Sequence, residues 1–326
     1  MKRWKFAAAA LLAAPLPAAQ AVAQDTPKPP PPLMVWAAQP IPETPYTGPN
    51  RLIWRLSDIL AAHKGQQSWT QTVALTRDFQ GDYVSLAPGE KTKTMLYADD
   101  RVFWSVQRGQ MKVNIMGRKP FIATKDFLVD VAPHMPFSIE NPGKEPVVFF
   151  RVTPAHEIPM YPVGETPTPV KGWKFIKAKA AVTLGTKPDG TPITDGHDYD
   201  DGNRPYLDFD KDVVGKNAGS SYFVADGHTS AHIIRAKPGP TPPDSNFGHF
   251  HENMVELWIV LEGKVDVKVS GEKLVTGEVG DVMLAPEERW HRPSTLGDTP
   301  STRLAITPRM QESQVHLYQP DSNAGN

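Results

Sequence analysis

The 326-residue chain contains no cysteine. That absence excludes disulfides, a cysteine-linked lipid anchor and any thiolate metal site, so stability has to come from core packing. Charge of either sign is also lacking in excess: 35 Lys and Arg against 36 Asp and Glu leave a net −1. Such a balance gives no electrostatic case for nucleic acid or anionic membrane as a partner. The N-terminal apolar run, residues 6–14, is too short to span a bilayer and stops at Pro15 and Pro17. Long helices are disfavoured too, because 34 prolines, roughly twice ordinary usage, interrupt helices and central strands alike.

What is present begins with a leader. MKRWK is basic, the stretch after it is apolar, and Ala21-Val22-Ala23 fits a small-x-small cleavage site. Residues 1–23 therefore read as a secretory signal peptide, with a periplasmic or secreted destination and no membrane span in the mature protein. No twin-arginine pair is present, so a route that threads unfolded chain is expected, with metal loaded outside the cytoplasm. Residues 24–66 read as a proline-rich arm and one short helix, Ser57 to Gly65, with Ser57 as its cap and Gly65 as its stop.

From residue 67 to 153 short runs such as TVALTRD, RVFWSV and KVNIMG sit between turn signals. A second series, including AHIIRAKPG, ELWIVLEG and KVDVKVSG, occupies 220–312. Residues 154–219 are rich in Pro, Gly and Asp and read as a connection, with room for a strand or two around Trp173–Val182; 313–326 is a tail. Many short strands at this spacing predict antiparallel sandwiches or barrels. The two series also align with one another. Placing Gly109 on Gly263 and Pro133 on Pro286 puts Met95, Tyr97, Val102 and Ser138 where the second series has His249, His251, Glu256 and His291.

Those last four residues carry the chemistry. His249 and His251 are two apart, so on a strand they share a face. Glu256 lies an odd number of positions further on, and a turn at Glu252-Asn253-Met254 is needed to return it to that face. His291 ends a distant apolar run. Three neutral imidazoles and one carboxylate form a first-row transition-metal ligand set. They leave a divalent ion near +1, with two open positions if it is octahedral. Manganese, iron, nickel, copper and zinc all remain open.

This constellation resembles the cupin superfamily. The motif G-x5-H-x-H-x(3,4)-E-x6-G is met by His249, His251, Glu256 and Gly263, with Pro243 at the leading glycine position. The motif G-x5-P-x-G-x2-H-x3-N is met by Gly280, Pro286 and His291, with Glu288 and Thr295 at the second glycine and the asparagine. The resemblance implies an all-β chain of two jelly-roll barrels with few short helices. The N-terminal barrel would be degenerate, and the C-terminal one would hold a metal ion at the four residues. It implies an enzyme of oxidative cleavage, decarboxylation or isomerisation on a small oxygenated molecule, dioxygenase-type oxidation being favoured. The alternative is a non-catalytic binding protein for a sugar, an organic acid or a metal ion. Edge strands could also pair two copies into a homodimer.

His232 and Glu288 are the catalytic candidates, His232 as a base near the ligand strands and Glu288 as an acid or base at the barrel mouth. Arg235 could clamp a carboxylate, though a solvated rim position suits it better. Trp258 and Val260 share the Glu256 face and should wall a cavity. Tyr97, Trp104 and His134 read as packing residues of the first copy. Asp195 to Asn203 reads as a solvated acidic loop rather than a calcium site.

Overall fold

In a computed structural model the described residues are 36–98, 100–178, 203–225, 228–237, 248–295, 298–308 and the backbone of 317–318. The expected leader, residues 24–35 of the arm, residues 179–182, the acidic loop up to 202, Pro243 and most of the tail lie outside them. The chain opens with β1 (Ile53–Trp54) and helix α1 (Leu56–Ala62). The first series supplies β2 (Trp69–Leu75), β3 (Phe79–Leu86), β4 (Val102–Arg108) and β5 (Gln110–Ile115). It continues with β6 (Phe121–Thr124), β7 (Phe127–Val131), β8 (Phe137–Glu140) and β9 (Val147–Pro154). β10 (Tyr206–Asp208) and one π-helical turn (Asp210–Val214) follow. The second series supplies β11 (Ser221–Ala225), β12 (Thr229–Ala236), β13 (His249–Phe250), β14 (Glu256–Glu262) and β15 (Lys264–Val269). It ends with β16 (Val275–Glu278), β17 (Val282–Ala285), β18 (His291–Thr295), β19 (Ser301–Pro308) and β20 (Leu317–Tyr318).

Each series folds into a pair of antiparallel sheets, a jelly-roll barrel. The first has the orders β10-β7-β4-β9-β3-β2 and β6-β5-β8; the second has β1-β17-β14-β19-β12-β11 and β16-β15-β18-β13-β20. The architecture is all-β, as the resemblance implied. The repeat extends to irregularities. β4 slips against β9 between Val106 and Arg108, and β14 slips against β19 between Val260 and Glu262. Matching bulges interrupt β2 on β3 and β11 on β12.

Strand register corrects one part of the alignment. Val102 pairs with Val131 as Glu256 pairs with Ala285, and Ile115 pairs with Phe137 as Val269 pairs with His291. The counterpart of His291 is therefore Phe137, not Ser138, and Ala132 rather than Pro133 matches Pro286. Aligning on the prolines is off by one residue, which in a strand exchanges the two faces.

The strands between the expected domains are exchanged. β1 precedes the first barrel but pairs with β17 of the second; β10 precedes the second but pairs with β7 of the first. The arm and the connection thus each complete the other barrel's sheet. Residues 173–178 form no strand. Helix α1 starts after Arg55, not at Ser57, because its first donor is satisfied from the second barrel: the Leu56 N–H donates to Asp281 Oδ1 at 3.0 Å. It stops at His63, and Gly65 lies beyond in a left-handed turn.

Alternation sorts each strand's side chains to two faces. The outer faces of the six-stranded sheets share one core, where Phe79, Tyr83, Phe103 and Phe150 meet Leu257, Ile259, Leu304 and Ile306. The inner faces differ. The first barrel is filled by Val102, Trp104, Met111, Phe137 and Phe149. The second is lined by Trp258, Val260, Met283, Ala285 and Ala305, and the same face carries the four metal-type residues and Arg303. No helix among the described residues is long and apolar enough to cross a membrane.

Candidate metal centre

β13 is only two residues long, and Gly248 sets its start. Gly248 has φ +75°, and a Cβ there would run into the Trp290 ring, so the chain can enter His249 this way only with glycine. His249 then pairs with His291 across to β18. The chain bends at Glu252 and Asn253 and restarts as β14 at Glu256, returning that carboxylate to the inner face.

The four side chains converge. Glu256 Oε2 lies 3.1 Å from His251 Nε2, 3.1 Å from His291 Nε2 and 3.5 Å from His249 Nε2. One donor atom from each residue lies within 4.8 Å of all the others. Ligand bonds of about 2.1 Å put neighbouring donors about 3.0 Å apart and opposed ones about 4.2 Å apart, so one ion fits among them. The side chains of His251, Glu256 and His291 are 2%, 8% and 1% exposed; that of His249 is 18% exposed, so solvent reaches the group past His249.

A second observation tests the fit. His291 Nδ1 lies 2.9 Å from the Arg289 carbonyl oxygen and must donate to it. In the neutral ring this leaves a lone pair on Nε2, aimed at a carboxylate oxygen that can only accept. Two acceptors at 3.1 Å need positive charge between them, which a divalent cation among the four residues would supply, as would a second proton on the ring. Burial alone would push the Glu256 carboxyl up, but the three imidazoles facing it hold it well below its ordinary value. Burial also pushes the His251 imidazole down, favouring the neutral ring that binds metal.

One support was not anticipated. Trp258 Nε1 donates to the other oxygen of Glu256, Oε1, at 2.7 Å. Its position two residues along the same strand face was the available signal.

The remaining candidates are placed as follows. His232 stands on the inner face of β12 opposite Ala305, with the Tyr222 ring stacked on it at 4.4 Å. Burial and then the charge of Arg303 push its pKa down. Glu288 has φ +66°, which explains a glycine preference there; its carboxylate accepts from Thr44 Oγ1 at 2.7 Å, and its N–H donates to the His251 carbonyl. Arg235 is held by Glu262 in two hydrogen bonds of 2.8 and 3.1 Å. Met95, Tyr97, Val102 and Phe137 offer no metal cluster in the first barrel, where Trp104 on Phe137 at 5.9 Å repeats Trp258 on His291 at 5.3 Å. A cavity of about 490 Å³ bordered by Tyr46, Arg77 and Met254 is lined by none of the four residues.

Residues 232–307 match the family described as the cupin domain. The second barrel carries a cupin domain, and the first repeats its jelly-roll topology. Among solved structures the chain is similar to an oxalate decarboxylase, at 16% identity and TM-score 0.48, over 82% of this chain and 80% of that one. It is also similar to a tryptophan-to-phenylalanine variant of the B. subtilis oxalate decarboxylase, at 15% identity and TM-score 0.47, over 80% and 78%. A further structure concerns the Mn(II) centres of the Bacillus subtilis oxalate decarboxylase, at 14% identity and TM-score 0.47, over 82% and 80%. No curated protein sequence matches the chain. The reading of the cupin's metal centre rests on its own geometry.

Proposed function

We propose that the second barrel is the catalytic domain of an exported, metal-dependent enzyme that oxidises a small oxygenated organic molecule with dioxygen. The observation that carries this is the cage of His249, His251, Glu256 and His291, with donors spaced for one ion and a side open past His249. A manganese, iron, nickel, copper or zinc ion held by His249, His251, Glu256 and His291 would supply Lewis acidity and, for the redox-active metals, electrons.

The protein's own part is positioning. The Arg289 carbonyl fixes the His291 tautomer, and Trp258 fixes the Glu256 carboxylate, so neither ligand has to reorganise. Trp258, Val260, Met283 and Ala285 make an apolar wall that excludes water from the inner side. The basic-apolar leader and its Ala-x-Ala site support export, and a cysteine-free chain suits a compartment where free thiols oxidise.

The test is elemental analysis of protein recovered from the exported fraction, with its N-terminus sequenced, followed by oxygen uptake on a panel of small hydroxy, keto and dicarboxylic acids. The expected results are an N-terminus near residue 24, one equivalent of a first-row metal, and oxygen uptake, with metal and uptake both absent in His291→Ala. Carbon dioxide release without oxygen uptake moves the reaction to decarboxylation. Stoichiometric metal with ligand binding and no turnover moves the protein to the binding-module reading.

A further inference from the structure

We infer that Arg303 is the substrate anchor of this site: the enzyme proposed above takes a small organic acid, with one carboxylate on the Arg303 guanidinium and another oxygen at the metal centre. The inference rests on that reading for its metal half alone.

Register places the arginine. Arg303 pairs with Ile234 on one side and Val260 on the other, and Ala305, two residues along the same face, lies against Trp258 in the inner core. Arg303 therefore faces into the barrel that holds the four ligands. Ile306 pairs with Leu257, so the β19 position level with Glu256 is four residues from Arg303, roughly 13 Å along the strand. The charge of Glu256 acts on Arg303 across that interval. His232 stands between them, opposite Ala305.

Arg303 makes no ion pair among the described residues, and the one opposing charge acting on it is that of Glu256. Its Nε is enclosed with no hydrogen-bond partner, and no carboxylate lies within ion-pair distance. Arg101 and Arg151 share the enclosed Nε but carry ion pairs on the guanidinium end. Arg101 pairs with Asp130 at 2.9 Å, and Arg151, inside the first barrel, pairs with Asp82 at 2.8 Å. A partly buried cation without an ion pair is costly, and an anionic ligand would offset that cost.

The first barrel serves as an internal control. The counterpart of Arg303 is Phe149, which pairs with Val106 as Arg303 pairs with Val260. Phe149 is 1% exposed and packs on Trp104 at 6.3 Å. The barrel without metal ligands fills this position with a ring; the barrel with them places a cation there.

Charge points the same way. A divalent ion with Glu256 leaves +1, neutral imidazoles add nothing, and Arg303 brings the interior to +2. A dianion, or a monoanion that also chelates, balances it.

The test is calorimetric titration of malonate, succinate and the neutral malonamide into wild type, Arg303→Met and Arg303→Lys, each as isolated and after chelator stripping. Metal content and melting temperature of every variant are measured alongside. Malonate or succinate is expected to bind wild type at least about tenfold tighter than malonamide, and Arg303→Met to lose at least about tenfold with metal content unchanged. Arg303→Lys, which keeps the charge and serves if the methionine variant does not fold, should recover part of that loss. Stripped wild type should retain the Arg303-dependent part. No binding of either acid to wild type, or equal binding to wild type and a folded, metal-replete variant of Arg303, overturns the inference. An Arg303 effect in protein that carries no metal at all overturns the metal reading and leaves the anchor.

Discussion

The indole N–H of Trp258 donates to Glu256 Oε1 at 2.7 Å while Oε2 faces the three imidazoles. The two oxygens of one carboxylate are thus divided between a support and an ion. Trp258→Phe keeps a ring in the wall but removes the donor. Such supports typically contribute 10- to 100-fold in metal affinity, so the variant should bind its ion about that much more weakly without unfolding. Competition against a coloured chelator measures this, and equal affinity in the two proteins refutes the role given to Trp258.

Phe137 and His291 occupy equivalent positions in two copies of one fold, yet their replacement by alanine should have opposite signatures. Phe137 is 5% exposed inside a filled barrel, and Phe137→Ala should cost about 3–5 kcal/mol while metal content stays at wild-type level. His291→Ala should abolish stoichiometric metal. Urea unfolding of both variants with metal analysis decides. Matching profiles would mean that the two barrels are not functionally distinct.

The ligand set was legible in sequence because strand alternation dictates the spacing. Two histidines two apart share a face, and the odd interval to Glu256 demanded the bend that appears at Glu252 and Asn253. The Phe137 counterpart was not legible, because the first copy has Ala132 where the second has Pro286 and carries its own proline one residue later; the turns themselves match, with His134 at φ +62° where Glu288 has φ +66°. Arg303 stayed hidden for a related reason: in RLAIT either alternate set could face inward, and only register with Val260 decides. Arg235, expected at a solvated rim, is instead largely buried, because a strand 27 residues away supplies Glu262 to hold it. The exchanged strands β1 and β10 are two and three residues long, too short to show any period.

The strand exchange makes Asp281 a junction. Its carboxylate accepts from Leu56 N at the start of α1, from Glu278 N, and from Arg55 Nη1, each at 3.0 Å. Asp281→Ala leaves a buried helix donor without an acceptor and frees the segment that carries β1. A loss of about 2–3 kcal/mol is expected, with earlier proteolysis between β1 and α1 than in wild type. Asp281→Asn, which keeps one acceptor oxygen, should lose less. Equal stability of the alanine variant and wild type in urea would show that β1 does not depend on this contact.

Arg235 and Thr302 together give a pH dependence with a definite sign. The Arg235 hydrogen bonds, against a smaller opposing effect of burial, hold the Glu262 carboxyl below its ordinary value. An unfolded glutamate titrates near roughly 4.3, so the native state binds this proton less readily than the unfolded one. The pair's contribution is therefore fully present above about pH 4.3 and is lost as pH falls through the lower folded value. Glu262→Gln should be less stable than wild type at pH 7, and the gap should close on acidification below that range. Urea midpoints of both proteins from pH 7 down to pH 3 measure it. A gap that stays constant across the series would mean that the ionised form of Glu262 contributes nothing to holding β12, β14 and β19 together.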